Sequence, residues 1–290
     1  MKQKELERRE FDRRTFASAF GGAALLAMTS NAAVPAIGAW LDCNVTLGQW
    51  PFRTTPHQLP TQLSNELKEQ GVTQAWAGSF EAIFQNDLQS VNLQLAQVCR
   101  EAPHKNLLPV ATINPSLPDW RADLVHAHEQ LSMSIIRLYP NYHSYKLDDA
   151  CFADFLDLAV KRQLAVQVVV QIEDDRTQSL RMQVPPVDLK PLAKHLLNVP
   201  TAKVMILNAS RPQLDAIIPS ASVLFDIAKI EGICALEQIL ETVNHERMVF
   251  GSHAPFFYWE AARLKLQESA LLDRQFDAIV QGNATRWSKA

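Results

Sequence analysis

Three polar side chains spaced by two positions stand near residue 40. Asp42, Asn44 and Thr46 share one face of the chain if the backbone there is extended. They end an apolar stretch that breaks at Gly48, which is a favourable place for a ligand. The alternative is a capped loop whose polar groups satisfy one another, and the stretch alone does not decide between the two.

A second set of polar side chains stands where later apolar runs end. Carboxylates, amides, guanidinium and imidazole groups are those that proteins use to bind anions, hold metals and transfer protons. The set comprises Arg137, Tyr139, Gln171, Arg176, Asn208, Asp226 and His253. Each residue also has a purely structural explanation. Asp42 and Asp226 can cap loops. Tyr139 can pack at a core rim, and Arg176 can join a solvated ion cluster.

Apolar β-branched runs alternate with amphipathic stretches from residue 39 onward. Strands are predicted at 39–44, 73–78, 107–112, 134–138, 164–170, 203–207, 222–226 and 248–251. Between them, helices are predicted from a capping box at Ser116 and over residues 231–243 and 259–271, among others.

Eight strand–helix units with right-handed crossovers predict an α/β fold, a single-domain (β/α)8 TIM barrel over residues 39–290. A doubly wound open sheet is the alternative, although the chain has no GxGxxG phosphate turn. In a barrel, the active site lies at the carboxyl ends of the strands. Both polar sets are therefore expected to meet at one mouth.

The two ends of this region resemble the amidohydrolase superfamily, in particular its amidohydrolase-2 branch. Residues 42–48, Asp-Cys-Asn-Val-Thr-Leu-Gly, resemble the first-strand motif of the branch, usually Asp-x-His-x-His-x-Gly. Residues 247–256 resemble its eighth-strand segment, and residues 282–284, Gly-Asn-Ala, match its closing signature. The resemblance extends over residues 40–288 and implies the same barrel.

The resemblance implies a site for one or two divalent metals, but the chain departs from the family at every ligand position. The family's two His of strand 1, His of strands 5 and 6 and Asp of strand 8 correspond here to Asn44 and Thr46, Gln171 and Asn208, and His253. Neutral amides are poor zinc ligands, and Arg137 on strand 4 would oppose a cation. No family-type metal and no cofactor are therefore predicted. Unorthodox ligands are the alternative: Asp42, His253 and Asp226.

Without a metal, a side chain must activate water. His253 is the predicted general base, because imidazole titrates near neutral pH, and Arg137 is the predicted anion or oxyanion binder. The predicted substrate-binding residues are Asp42, Asn44, Thr46, Tyr139, Gln171, Arg176, Asn208 and Asp226. Since some relatives open lactones without a metal, the resemblance implies a metal-independent, lactonase-like hydrolase acting on a small anionic or sugar-derived substrate.

Two other functions stay open. One is a non-catalytic small-molecule-binding protein on a decayed barrel, and the other is a metal-dependent decarboxylase or hydrolase with unorthodox ligands. Trp50 and Phe52, which follow the first strand, can form a substrate wall or a packed plug of the mouth. The aromatic loop 255–259 can line the pocket or a contact in a homo-oligomer.

The composition is that of an ordinary globular protein, with 290 residues, a net charge of −3 and 47% apolar residues. This charge argues against a nucleic-acid partner, and no run of about 18 apolar residues predicts a membrane span after processing. The four cysteines form no CxxC pair, and Cys43 and Cys234 are predicted to be buried free thiols.

Residues 1–38 are predicted to be a twin-arginine-type signal segment. The pair Arg13-Arg14 precedes a weakly apolar run over residues 16–28 and a region of small residues. This layout predicts export to the periplasm. The alternative is the basic, amphipathic start of a helix in a cytosolic protein.

Overall fold

The computed structural model describes residues 39–289, and eight parallel strands in that part of the chain follow one another in sequence order. They are β1 (Trp40–Leu47), β2 (Val72–Ser79), β3 (Leu107–Pro109 and Ala111–Thr112), β4 (Ile135–Leu138), β5 (Ala165–Val169), β6 (Lys203–Leu207), β7 (Leu224–Asp226) and β8 (Met248–Val249). Each strand pairs in parallel with the next one.

Backbone hydrogen bonds between β1 and the segment that follows β8 close the sheet into a ring. The Cys43 N–H donates to Phe250 O, and the His253 N–H donates to Asn44 O, both at 2.9 Å. The predicted TIM barrel is therefore confirmed. All eight predicted strands are present, and the largest difference is at β1, which continues to Leu47 instead of ending at residue 44.

Helices follow the strands around the ring. They are α1 (Pro60–Glu69), α2 (Glu81–Phe84), α3 (Leu88–Glu101), α4 (Trp120–Val125), α5 (Ala150–Lys161), α6 (Lys190–Asn198), α7 (Arg211–Asp215), α8 (Ala235–Leu240), α9 (Trp259–Gln267), α10 (Asp273–Asp277) and α11 (Asn283–Lys289). π-Helical turns extend α4 over His126–Gln130 and join α10 to α11 over Ala278–Gly282.

Two buried apolar layers hold the barrel together. In the larger layer, Phe152 and Phe155 of α5 pack in one cluster with Val166 of β5. The second layer contains Leu41 of β1 and Met205 of β6, together with other strand residues. Because both strand faces are covered, the strands appear in the sequence as continuous apolar runs and not as alternating ones.

Three local predictions are wrong. The Ser116 hydroxyl donates to Asn114 Oδ1 at 2.7 Å instead of capping a helix, so α4 begins only at Trp120. The helix predicted over 231–243 is shortened to Ala235–Leu240. All four cysteines are free, and Cys43 is buried as predicted, whereas Cys234 is exposed.

Within residues 39–289, no helix is long and apolar enough to cross a membrane. The signal segment predicted over residues 1–38 lies outside the residues that the structure describes.

Candidate active site at the carboxyl ends of the strands

Four buried side chains form one hydrogen-bonded chain at the carboxyl mouth of the barrel, which we call the mouth chain. Asn44 Nδ2 donates to Asp226 Oδ2 at 2.6 Å and to Asn208 Oδ1 at 2.7 Å. Asn208 Nδ2 donates to His253 Nδ1 at 3.2 Å. At the end of the chain, His253 Nε2 donates to Ile172 O at 2.9 Å. The barrel therefore brings together four of the residues that the sequence singled out.

The strand ends and the local backbone place these side chains. Asn208 directly follows β6, and His253 stands four residues after β8 ends at Val249. Both have left-handed φ angles, of +59° and +60°. Asn and His are among the non-glycine residues that adopt this conformation most readily. At Gly251, an added Cβ would lie 2.8 Å from Asp226 Cβ and 3.0 Å from Asn44 Cβ, so the close packing of the chain requires glycine there.

Asp42 connects β1 to the segment that follows β8. Its Oδ1 accepts the backbone N–H groups of Asn44 and Ser252, both at 3.0 Å, while its buried Oδ2 has no partner among the described residues. Burial raises the pKa of Asp42 to about 6, although these hydrogen bonds oppose the rise.

Asp226 is the carboxyl group at the other end of the mouth chain. Burial raises its pKa to about 7. The Asn208 backbone N–H and the Asn44 amide oppose the rise, while the negative charge of Asp42 adds to it. A carboxyl group with this pKa exchanges its proton near neutral pH, which a catalytic acid or base must do.

His253 is held neutral, and both of its ring nitrogens are engaged. Its pKa is lowered to about 3, chiefly by burial and in part by the positive charges of Lys229, Arg137 and Arg53, although the hydrogen bond to Ile172 O opposes the shift. Nδ1 accepts from Asn208, so no lone pair of the ring is left for a water molecule. In this arrangement His253 orients Asn208 and does not itself accept a proton.

The Arg137 guanidinium is fully buried below the mouth and binds only groups of the protein. Its five hydrogen bonds, 2.8 to 3.3 Å long, go to Gln167 Oε1, Val45 O, Thr46 Oγ1, Cys43 O and Trp76 O. A guanidinium has five N–H donors, so none is left for a substrate anion. The structure thus places the predicted anion binder, together with Thr46, in the wall of the barrel interior.

Gln171 lies apart from the mouth chain and contacts a lysine that the sequence analysis did not single out. Its Oε1 accepts from Lys229 Nζ at 2.7 Å, and its Nε2 donates to Asp175. Burial lowers the pKa of Lys229. Lys229 comes three residues after β7, and a lysine at that distance from a strand end gives no distinctive sequence signal.

Tyr139 and Arg176 have different surroundings. The Tyr139 side chain is buried, and its hydroxyl has no partner among the described residues. The Arg176 side chain is 85% exposed and pairs with Asp174 at 2.8 Å. Arg176 is therefore not brought to the mouth chain and belongs to the solvated ion cluster that was the alternative explanation.

An aromatic cluster covers part of the mouth. Trp50 is buried and packs with its ring 5.3 to 6.1 Å from the ring centres of Phe52, Phe80, Phe84, Tyr142 and Phe256. Phe256 stacks on the His253 ring at 5.2 Å, and the Arg53 guanidinium lies over Phe256 at 4.3 Å. Trp50 and Phe52 therefore form the packed plug that was one of their two expected arrangements. Phe256 lies between His253 and Arg53.

The donor set does not fit the divalent metal that the resemblance implies. Among residues 39–289, no group of three or more His, Cys, Asp or Glu side chains is placed to hold a metal ion. Asn44 directs its amide N–H groups, not its oxygen, at Asn208 and Asp226. The His253 lone pair faces Asn208. A cation would have to break these bonds before it met a suitable donor.

Comparison with known proteins shows the fold. No family model matches the sequence, and no curated protein is similar to it. An amidohydrolase II has a TM-score of 0.65 at 15% identity, covering 87% of this chain and 100% of its own. A dihydroxybenzoic acid decarboxylase from Polaromonas sp. JS666 with bound manganese has a TM-score of 0.65 at 11% identity, and the match covers 87% of this chain and 97% of the decarboxylase. A probable 2-pyrone-4,6-dicarboxylic acid hydrolase from Acinetobacter baumannii with bound citric acid has a TM-score of 0.61 at 12% identity, and the match covers 87% of this chain and 100% of the hydrolase.

Proposed function

We propose that this protein is a lactonase-like hydrolase of small carbonyl compounds that uses side chains in place of a divalent metal. The observation that carries the proposal is the mouth chain, which ends in a carboxyl group with a pKa of about 7. The similarity in fold to a hydrolase and a decarboxylase supports an enzyme of this general kind. The misfit between the donor set and a metal supports the metal-independent form.

We assign proton transfer to Asp226 and a positioning role to His253. Each Asp226 oxygen accepts one N–H bond, from Asn208 N or from Asn44 Nδ2, and keeps a second lone pair for a water molecule. Asp226 takes a proton from this water as the water oxygen bonds to the lactone carbonyl carbon. The ring C–O bond then breaks, and the same proton passes to the departing oxygen, which gives the hydroxy acid.

Positive charge at the mouth favours an anionic substrate. Since Arg137 is fully engaged and Arg176 is exposed, the cations that remain near His253 are Lys229 and Arg53. Lys229 Nζ uses one donor for Gln171, and no carboxylate of the described residues lies within 4.0 Å of it. Arg53 lies 3.6 Å from Glu173, and its side chain is 38% exposed.

The test is hydrolysis of a panel of lactones and aryl esters, with and without a carboxylate, by chelator-treated protein. We expect turnover, and we expect Asp226→Asn to lower kcat by about 10²-fold or more, the usual contribution of a general base. The matched control is Asp154→Asn, which removes an exposed carboxylate. Equal kcat values for Asp226→Asn and the parent protein would contradict the assignment.

A non-catalytic binding protein is the second candidate, and one observation favours it. The donors of Arg137 and both ring nitrogens of His253 are satisfied within the protein, as expected of a site that does no chemistry. The same panel separates the two functions. Saturable binding of a lactone without any turnover supports the binding protein, while turnover that fails only in Asp226→Asn supports the hydrolase.

A further inference from the structure

A lysine on α9 holds the turn that follows β7. The Lys265 Nζ donates to Ile227 O at 2.8 Å and to Ala228 O at 3.1 Å. Ile227 and Ala228 are the two residues that separate Asp226 from Lys229. One ammonium group therefore fixes the short piece of backbone that carries both the carboxyl assigned to proton transfer and the cation assigned to an anionic substrate.

The loop that contains this turn has little other support from α9. Residues 227–234 form no helix or strand, and Gly232 and Cys234 have left-handed φ angles of +123° and +52°. A cavity of about 430 Å³ lies between the loop, α8 and the end of α9, with Lys265 in its wall. In the part of the chain that the structure describes, Lys265 makes the hydrogen bonds between α9 and this loop.

The charge of Lys265 is coupled to Asp226. Among residues 39–289, no Asp or Glu oxygen lies within 4.0 Å of its Nζ, and both of its hydrogen bonds go to neutral carbonyls. Burial lowers the pKa of Lys265, and the negative charges of Asp226 and Glu231 oppose this shift. Conversely, the positive charge of Lys265 opposes the rise in the pKa of Asp226. Because burying an ammonium group without a carboxylate partner is costly, a lysine would be a poor choice for linking α9 to the loop alone.

We propose that Lys265 is a positioning residue for the hydrolysis assigned to the mouth chain, and that it fixes the separation of Asp226 and Lys229. The inference rests on the proposed function, in which Asp226 transfers the proton and Lys229 attracts the substrate carboxylate. With both intervening carbonyls held, a lactone whose carboxylate binds Lys229 presents its carbonyl carbon to the water at Asp226 in one alignment. Lys265 acts only through these two residues.

Steady-state kinetics on a matched pair of lactones, with and without a carboxylate, test the proposal. In Lys265→Met, we expect kcat to fall about tenfold or more on both lactones, because a displaced general base loses its alignment. We also expect KM to rise about tenfold for the carboxylate-bearing lactone alone, because Lys229 is displaced as well. Lys265→Arg keeps the charge and the donors, and the neighbouring cavity has room for the larger side chain. This variant should retain most of kcat and of the KM preference.

The matched control is Arg263→Met. It removes a cation of the same helix that lies over the Trp259 ring and makes no hydrogen bond to the loop among the described residues. We expect the kcat and both KM values of the parent in this variant. Thermal unfolding confirms that each variant folds, and Lys265→Gln, whose shorter side chain cannot reach both carbonyls, replaces Lys265→Met if that variant does not fold. A loss of stability with unchanged kcat and an unchanged KM ratio would show a merely structural role and overturn the proposal.

Calorimetric titration with inert lactam analogues of the same two lactones separates this inference from the proposed function. We expect the parent to bind the carboxylate-bearing lactam about tenfold more tightly than the neutral one, and Lys265→Met to bind both about equally. Lactone turnover in the parent with an unchanged lactam preference in Lys265→Met would overturn the positioning role and leave the hydrolase standing. Absence of turnover, with a lactam preference that is lost in Lys265→Met, would contradict the hydrolase and support Lys265 as the residue that positions Lys229.

Discussion

Asn208 and His253, which are 45 positions apart in the chain, meet at the mouth through a hydrogen bond of 3.2 Å between the Asn208 amide and His253 Nδ1. Both residues have φ near +60°, a conformation that is uncommon outside glycine. Strained backbone positions cluster at functional sites, where the surrounding structure maintains them. The backbone that follows β6 and β8 is thus shaped to hold an amide against an imidazole.

Arg137 is predicted to be a structural residue, not a ligand for substrate. Arg137→Met should lower the free energy of unfolding by about 3 kcal/mol or more, because it leaves buried acceptors without a donor. The control, Arg176→Met, removes an exposed guanidinium and should change stability by less than ~0.5 kcal/mol. Urea unfolding measures both. An Arg137→Met protein with unchanged stability and only a raised KM would contradict this prediction and support the anion-binding role that the sequence suggested.

The ring of strands was predictable from the sequence. A parallel strand that is covered on both faces needs apolar side chains on both, so it stands out in the sequence as a short continuous apolar run. The 203–207 prediction coincides with β6, Asn208 follows that strand directly, and His253 stands four residues after β8. A barrel places such residues at one mouth whatever their individual partners are. Topology alone therefore brought the four residues of the mouth chain together.

The roles of the same residues were not predictable in this way, since they depend on which groups meet across the barrel. The partners of Arg137 are mostly backbone carbonyls, which have no sequence signature. His253 is an obvious base in the sequence, yet Asn208 occupies its lone pair. Lys229 stands three residues beyond β7 and has no sequence signal of its own, although it contacts Gln171, which follows β5.

Gly251 is predicted to be essential to the packing of the mouth chain. In Gly251→Ala, the new methyl group would lie within 3.0 Å of atoms of Asp226 and Asn44, both of which are fixed by hydrogen bonds. We expect a loss of about 1–3 kcal/mol in thermal unfolding. Gly282→Ala is the control, because its Cβ would meet only ordinary contacts. Equal stabilities of the two variants would show that the mouth chain is packed less tightly around Gly251 than the distances indicate.

The buried carboxyl of Asp226 predicts a particular pH dependence of stability. Its pKa is raised from 3.8 to about 7, so between these values the folded protein binds more protons at this group than the unfolded chain does. The contribution of Asp226 is therefore fully present below pH 3.8 and is lost as the pH rises through about 7.

Asp226→Asn removes this dependence. The stability of the variant relative to the parent should rise between pH 4 and pH 7, by up to ~4 kcal/mol at about 1.4 kcal/mol per pKa unit. Chemical unfolding at several pH values measures the difference. His253 has a lowered pKa and therefore makes stability rise with pH, which is the opposite slope. Because both proteins contain His253, its contribution cancels in the difference between them. Parallel curves for the two proteins would mean that Asp226 does not titrate in this range.

Lys229 is predicted to select anionic substrates. Lys229→Met should raise KM for a carboxylate-bearing lactone by about tenfold or more, since a charge-assisted hydrogen bond contributes about 1.5–3 kcal/mol. The KM for a neutral lactone should stay the same, and kcat for both should change little. Steady-state kinetics on the matched pair of substrates gives the answer. Equal losses on both substrates would indicate a structural role for Lys229.

The measurement that tests the central claim most directly is the metal content of the purified protein, determined by elemental analysis together with lactone turnover before and after chelation. We predict far less than one divalent ion per chain and the same turnover rate in both states, because the hydrogen bonds of the mouth chain already engage the side chains that could coordinate an ion. One manganese or zinc ion per chain that is lost in His253→Ala, with turnover lost on chelation, would contradict the account.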